Sequence, residues 1–167
     1  MIISIRHTQI EDLPEVMHIY QFARNFMIEN NNPNQWDDVY PEISLIEKDI
    51  NNKHSYVCIN DDGEIVGVFY FNQEEDPAYL NIYEGEWLSD SEYGVIHRIA
   101  SSGHERGVMS FVVNWCLHQI NNIRIDTHRD NMVMRNALQK LEFQYCGIIY
   151  LENGEERLAY QRFHIQN

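Results

Sequence analysis

The stretch with the clearest chemical potential is residues 92–100, an apolar strand-like run, followed by residues 101–107 with two glycines and residues 107–121 with helical periodicity. A strand that turns through a glycine-bearing loop into a helix start gathers unpaired backbone N–H groups at one point, and the helix dipole adds positive potential there. Such a point takes a phosphate group without needing a basic side chain. His104 and Arg106 in the loop would add charge. The same unit also serves as a plain connection in many proteins, so the pattern alone leaves both readings open. Other chemistries lack their patterns: there is no Gly-x-Ser-x-Gly, no Walker loop and no His-Glu-x-x-His. Cys58, Cys116 and Cys146 follow no zinc or redox spacing and read as reduced, buried thiols. Asp126-Thr127-His128 reads as a strand end, and no metal is expected.

The elements that must position this unit follow from periodicity. Residues 2–6 form a short strand. Thr8-x-x-Glu11 has the form of a capping box, and Leu13, Val16, Met17 and Tyr20 begin an apolar helical stripe that runs to Met27. Residues 30–41 read as a loop carrying Trp36 and Tyr40. Ser44-x-x-Glu47 resembles a second capping box and opens a short helix. Residues 55–60 and 64–72 are β-branched and aromatic, joined by Asp62-Gly63, a hairpin signal. Residues 73–77 are an acidic turn, 79–83 a strand, and 85–90 a turn around Trp87. In the helix after Gly107, Met109, Val112, Val113, Cys116, Leu117 and Ile120 share a face. Residues 122–127 return to strand, Asp130 or Asn131 caps a last helix, and two strands at 144–151 and 157–163 flank a turn at Asn153-Gly154. This order predicts one domain over residues 1–167, an α/β sheet flanked by helices.

The net charge is −14, from 12 basic and 26 acidic residues, which argues against a nucleic acid partner. The charge is uneven: residues 1–92 sum to −15 and residues 93–167 to +1. The C-terminal half can accept a polyanion, while the N-terminal half attracts a cation. Acidic charge also serves solubility alone. No apolar run approaches the length that crosses a bilayer, and the opening residues lack a signal peptide's basic start and apolar centre, so a cytoplasmic protein without a membrane partner is expected.

From about Ile5 to Phe163 the element order and local sequence resemble the GNAT acetyltransferases. Ile5-Arg6-x-x-x-x-x-Asp12 and the helix after it look like that family's first motif. Tyr56-Val57 followed by Asp62-Gly63-Glu64-Ile65-Val66-Gly67 looks like its second and third strands. The family's CoA loop, Gln/Arg-x-x-Gly-x-Gly/Ala, is matched by His104-Glu105-Arg106-Gly107-Val108-Met109. Asn131, then Leu141-Glu142-Phe143, looks like the family's Asn at a helix start and its Leu-Gly-Phe ending. The resemblance implies a mixed, mostly antiparallel twisted sheet and acetyl-CoA as cosubstrate. It implies that Arg98, Ile99 and Ala100 lend backbone groups to the pantetheine arm. It further implies that the amides of His104, Glu105, Arg106, Gly107, Val108, Met109 and Ser110 hold the pyrophosphate, with Asn131 near the thiol end. Four positions depart from the family: His104 for Arg or Gln, Met109 for a small residue, Glu142 for the Gly of Leu-Gly-Phe, and Leu138 where many members carry a general-acid Tyr. Met109 is in phase with the apolar stripe and is expected to turn inward.

Acetyl transfer to an amine requires a proton to leave the amine, a donor to meet the carbonyl oxygen, and both reactants held in line. An imidazole suits proton removal near neutral pH. Alternation along the strand places Val95, His97 and Ile99 on one face and Ile96, Arg98 and Ala100 on the other, and His97 is the first candidate base. A packing role for His97 stays open. Glu92 is the second candidate, with Glu84 and Glu86 nearby. Trp36, Tyr40, Tyr83, Glu84 and Trp87 are candidate acceptor-binding residues, because loop aromatics can cage a cation. The leading expectation is an N-acetyltransferase acting on a primary amine of a small molecule or peptide, as a monomer or homodimer. The departures keep a second reading open, a catalytically weakened CoA-binding or ligand-sensing module of the same fold.

Overall fold

A computed structural model describes residues 1–164. Among them run β1 (Ile2–His7), α1 (Leu13–Glu29), α2 (Ile43–Asn51), β2 (Ser55–Asn60), β3 (Ile65–Asn72), β4 (Gly94–Ser101), α3 (Val108–Gln119), β5 (Asn122–Thr127), α4 (Met132–Lys140), β6 (Gln144–Tyr150) and β7 (Glu156–Phe163). The strands form one sheet in the order β1-β2-β3-β4-β5-β7-β6. Every neighbouring pair is antiparallel except β4 and β5, which run parallel.

Alternating apolar side chains send residues of β2 to β4 to both faces of the sheet, so both must be covered. Val16, Ile19 and Tyr20 of α1 and Ile46 of α2 bury Val57, Val68 and Ala100 on one face. Val112, Val113 and Cys116 of α3 and Leu138 of α4 bury Phe69, Ile96 and Ile123 on the other. Burial raises the thiol pKa of Cys58 to about 12 and raises that of Cys116 as well, so both stay protonated core groups.

Two strand features open the sheet. β4 and β5 are paired only at Gly94–Ile123 and Val95–Arg124, and diverge beyond. On its other side β4 carries a bulge: Val68 and Tyr70 of β3 oppose Ala100 and His97, so β4 has one extra residue between them. Arg98 sits at the bulge with φ 48°.

The bulge corrects the expected alternation. Arg98 reaches Asp49 of α2, on the face of Ala100, while Ile99 packs with Ile96 against the α3 side. Other expectations shift as well. Thr8 does not cap α1; its hydroxyl lies 2.7 Å from that of Ser55 and ties β1 to β2. One residue later Gln9 caps a 3-10 turn over Ile10–Asp12 that leads into α1, and Asp12 accepts from the Gln9 N–H at 2.7 Å and from the Arg6 guanidinium. Ser44 falls inside α2, which starts at Ile43 behind Glu42. Residues 79–83 are not a strand: Asp76 accepts from the Ala78 N–H and, with Pro77, starts a 3-10 turn over Pro77–Tyr79.

Candidate active site

The helix start has the form the loop sequence foretold. Gly107 precedes α3 with φ 78° and open space around its α-carbon, a left-handed conformation that glycine adopts without strain. The first bond into the helix runs from the Phe111 N–H to the Gly107 carbonyl, 2.9 Å, so the N–H groups of Val108, Met109 and Ser110 precede the ladder. His104, Arg106 and Ser110 are exposed around this point. Glu105 turns aside, its carboxylate 2.8 Å from the Met1 ammonium. A Cβ on Gly103 would come within 2.5 Å of the Phe22 ring, so the loop closes against α1 only because that side chain is missing.

From the helix start a groove of about 430 Å³ runs into the opening between β4 and β5. Its walls are apolar: Phe22 and Met27 of α1, Ile99 and Ala100 of β4, Met109 of α3 and Met134 of α4. Met109 is half-buried, packing on the α3-side core while its surface lines the groove. A second cavity, about 610 Å³, continues on the far side and shares Met27, Ile99 and Met134 with the first.

His97 lies in the second cavity. Its Nε2 is 2.7 Å from Asp76 Oδ2, and its Nδ1 is 3.8 Å from Asp126 Oδ2, which also accepts from the Tyr79 hydroxyl at 2.6 Å. Burial pushes the Asp76 carboxyl up, but the hydrogen bond and charge of His97 and the Ala78 N–H outweigh it and hold the group below the usual carboxylate range. In its neutral form the imidazole carries its proton on Nε2, donated to an ionised Asp76, and Nδ1 then faces Asp126.

The bulge is clamped from below. Arg98 donates Nε and Nη2 to Asp49 at 2.8–3.0 Å and Nη1 to the Tyr40 hydroxyl at 3.3 Å, with its guanidinium over the Tyr70 ring. Burial opposes its charge, but Tyr40 and Asp49 prevail and raise its pKa further. Tyr20 donates to the Arg98 carbonyl at 2.9 Å.

Trp36 and Tyr40 form a second wall of this cavity, their ring centroids 5.5 Å apart. Their loop is tied down at both ends: Arg24 donates to the Tyr40 carbonyl, and Gln35 accepts from the Thr127 hydroxyl, the His128 N–H and the Asn131 amide. Asn131 also caps α4 by accepting from the Met134 N–H at 3.0 Å, so both ends of its side chain are engaged at the groove's edge.

The structure thus brings together His97, Arg98, Ile99, Ala100, the helix start, Asn131, Trp36 and Tyr40. It sets the others apart. Tyr83 pairs with Ile148 and meets the Tyr150 ring, Glu84 is exposed beside it, and Trp87 lies under Arg124. Glu92 and Glu86 are exposed before β4, away from both cavities. Leu138 is fully buried in the core. Asp76, Asp49 and Gln35 are not among the residues the sequence singles out, and Asp126 is read there only as part of a strand end. Asp76 carried one local signal, a capping residue before a proline. Among the described residues no three His, Cys, Asp or Glu side chains gather to hold a metal, and no helix is long and apolar enough to cross a membrane.

A mixed sheet split at one parallel pair, with a helix start at the mouth of the split, is the acyl-CoA N-acyltransferase architecture. An acetyltransferase of the GNAT family from Streptococcus agalactiae superposes with a TM-score of 0.86 at 31% identity, covering 98% of this chain and 96% of its own. A GNAT-family acetyltransferase from Listeria monocytogenes reaches 0.69 at 16% identity over 95% and 93%. The ribosomal-protein-alanine N-acetyltransferase of Brucella melitensis reaches 0.61 at 14% over 97% and 100%. These last two share the fold. No family model and no curated protein matches the sequence. The chain belongs to the GNAT acetyltransferase family.

Proposed function

We propose that the protein is a cytoplasmic N-acetyltransferase that moves the acetyl group of acetyl-CoA directly to a primary amine of a small molecule or peptide. The observation that carries this reading is the pair of cavities meeting at Ile99 and Met134, with a helix start at one end and the Asp76–His97 pair at the other. The residues present suit the cosubstrate. The N–H groups of Val108, Met109 and Ser110 offer donors for a diphosphate, with His104 and Arg106 beside them, and the apolar groove suits a pantetheine arm.

Acetyl-CoA supplies an activated acyl carbon on a thioester. The edge of β4 that faces away from β3 supplies main-chain groups along the arm, because β5 leaves that edge from Ile96 onward. His97 takes the amine proton on Nδ1, and Asp76 holds the imidazole in that tautomer and stabilises its charge. The clamp on Arg98 fixes the bulge that aims this part of β4. No Tyr stands at position 138, so solvent protonates the departing thiolate, a group with a free pKa of roughly 8.5.

The test is release of CoA thiol in the presence of a broad amine panel, with acetylated product confirmed by mass. Amine-dependent release well above hydrolysis is expected. Tight acetyl-CoA binding with no amine-dependent release would instead support the binding or sensing module, a reading favoured by the buried Leu138.

A further inference from the structure

The second cavity discriminates among amines. We infer that the acceptor is a linear diamine or oligoamine; this rests on the transferase reading above and deepens it. The opening between β4 and β5 and the wall shared with the groove place the cavity, and its carboxylates specify what enters.

Among the described residues, Asp37, Asp76 and Asp126 line it with no Lys or Arg partner, against a single imidazole. The two guanidiniums in the wall are already engaged. Arg98 is held by Asp49, and Arg157 donates to Glu155 and to the Gln35 carbonyl. An incoming carboxylate therefore meets no free cation, while an incoming ammonium meets several acceptors. A zwitterionic amino acid is disfavoured by the same groups that hold a cation.

The carboxylates are also graded in depth. The Asp126 side chain is 10% exposed and that of Asp76 20%, beside His97. Asp37 is the exposed carboxylate of this set. The faces of Trp36 and Tyr40 also line the cavity; they suit a methylene chain and can stack on a cation. A second ammonium, carried on a methylene chain from the first, has Asp37 as its acceptor while the first is held beside Asp76 and Asp126.

The reacting ammonium donates to both Asp126 Oδ2 and His97 Nδ1, which lie 3.8 Å apart. The nitrogen gives one proton to Nδ1 and bonds to the acyl carbon. The C–S bond breaks, and the nitrogen loses a second proton. The thiolate takes up one proton and the other goes to water. The distal ammonium keeps its charge throughout.

A chain-matched set tests this: putrescine, n-butylamine and γ-aminobutyrate, each with acetyl-CoA, followed by product mass and kcat/KM. Putrescine is expected to exceed n-butylamine by about tenfold or more, the equivalent of one well-placed charge contact, with γ-aminobutyrate lowest. Asp37→Asn, on an exposed loop, is expected to shrink the putrescine-to-butylamine ratio by about threefold or more. Equal or higher kcat/KM for n-butylamine or γ-aminobutyrate overturns the inference and leaves the transferase reading standing. Acetylation of neither putrescine nor spermidine also overturns it; the fate of the transferase reading is then read from the wider amine panel.

Discussion

At the scale of single residues the account rests on His97 and the two carboxylates around it. His97→Ala is expected to lower kcat by about 100-fold or more, the usual weight of a positioned general base, with acetyl-CoA affinity nearly unchanged. Steady-state rates with calorimetric affinity separate the two. Asp76→Asn is expected to lower kcat as well, because the amide no longer fixes the imidazole tautomer. The same substitution has a pH signature. The Asp76 pKa lies below its unfolded value, so the group stabilises the fold above roughly pH 4 and loses that contribution as pH falls through the folded value. The stability gap between wild type and Asp76→Asn, followed by urea unfolding, therefore closes in acid. A gap that widened toward low pH would contradict the assignment. Neither carboxylate was legible as a partner of His97. Asp76 lies 21 residues from His97 and Asp126 lies 29 away, and only the folded sheet brings them to one imidazole.

At the scale of elements, the helices and the hairpin were readable because apolar stripes and the Asp62-Gly63 turn are local signals. The bulge was not. One extra residue in a strand leaves no compositional mark, and strict alternation put Ile99 on the face opposite Ile96, whereas the two share the α3 side. The segment around Tyr83 and Trp87 misled for a related reason: an aromatic in a loop packs on whatever the fold brings near, here β6 and Arg124. The bulge depends on Asp49, which is buried in α2. Asp49→Asn leaves the Arg98 charge buried with a neutral partner and is expected to cost about 3 kcal/mol in chemical denaturation. A loss near zero would show that the bulge holds without this pair. Asn131→Ala removes the α4 cap and its bond to Gln35, with an expected cost of about 1 kcal/mol.

At the scale of the whole molecule, both halves of the chain build the second cavity, although their net charges differ. The acidic N-terminal half supplies Asp37 and Asp76 to the cavity, and the near-neutral C-terminal half supplies His97, Asp126 and the helix start. Added salt is expected to raise KM for a cationic acceptor, because screening weakens attraction over roughly a Debye length, about 10 Å at 0.1 M. This charge split was visible in the sequence from the outset, whereas the meeting of two cavities at Ile99 and Met134 required the sheet to open.

The most direct test of the central claim is a crystal structure of the protein with CoA. The account predicts the diphosphate within hydrogen-bonding distance of the Val108, Met109 and Ser110 N–H groups, and the thiol reaching past Ile99 toward His97. A diphosphate bound elsewhere, with the Met109 side chain filling the helix start, would contradict it.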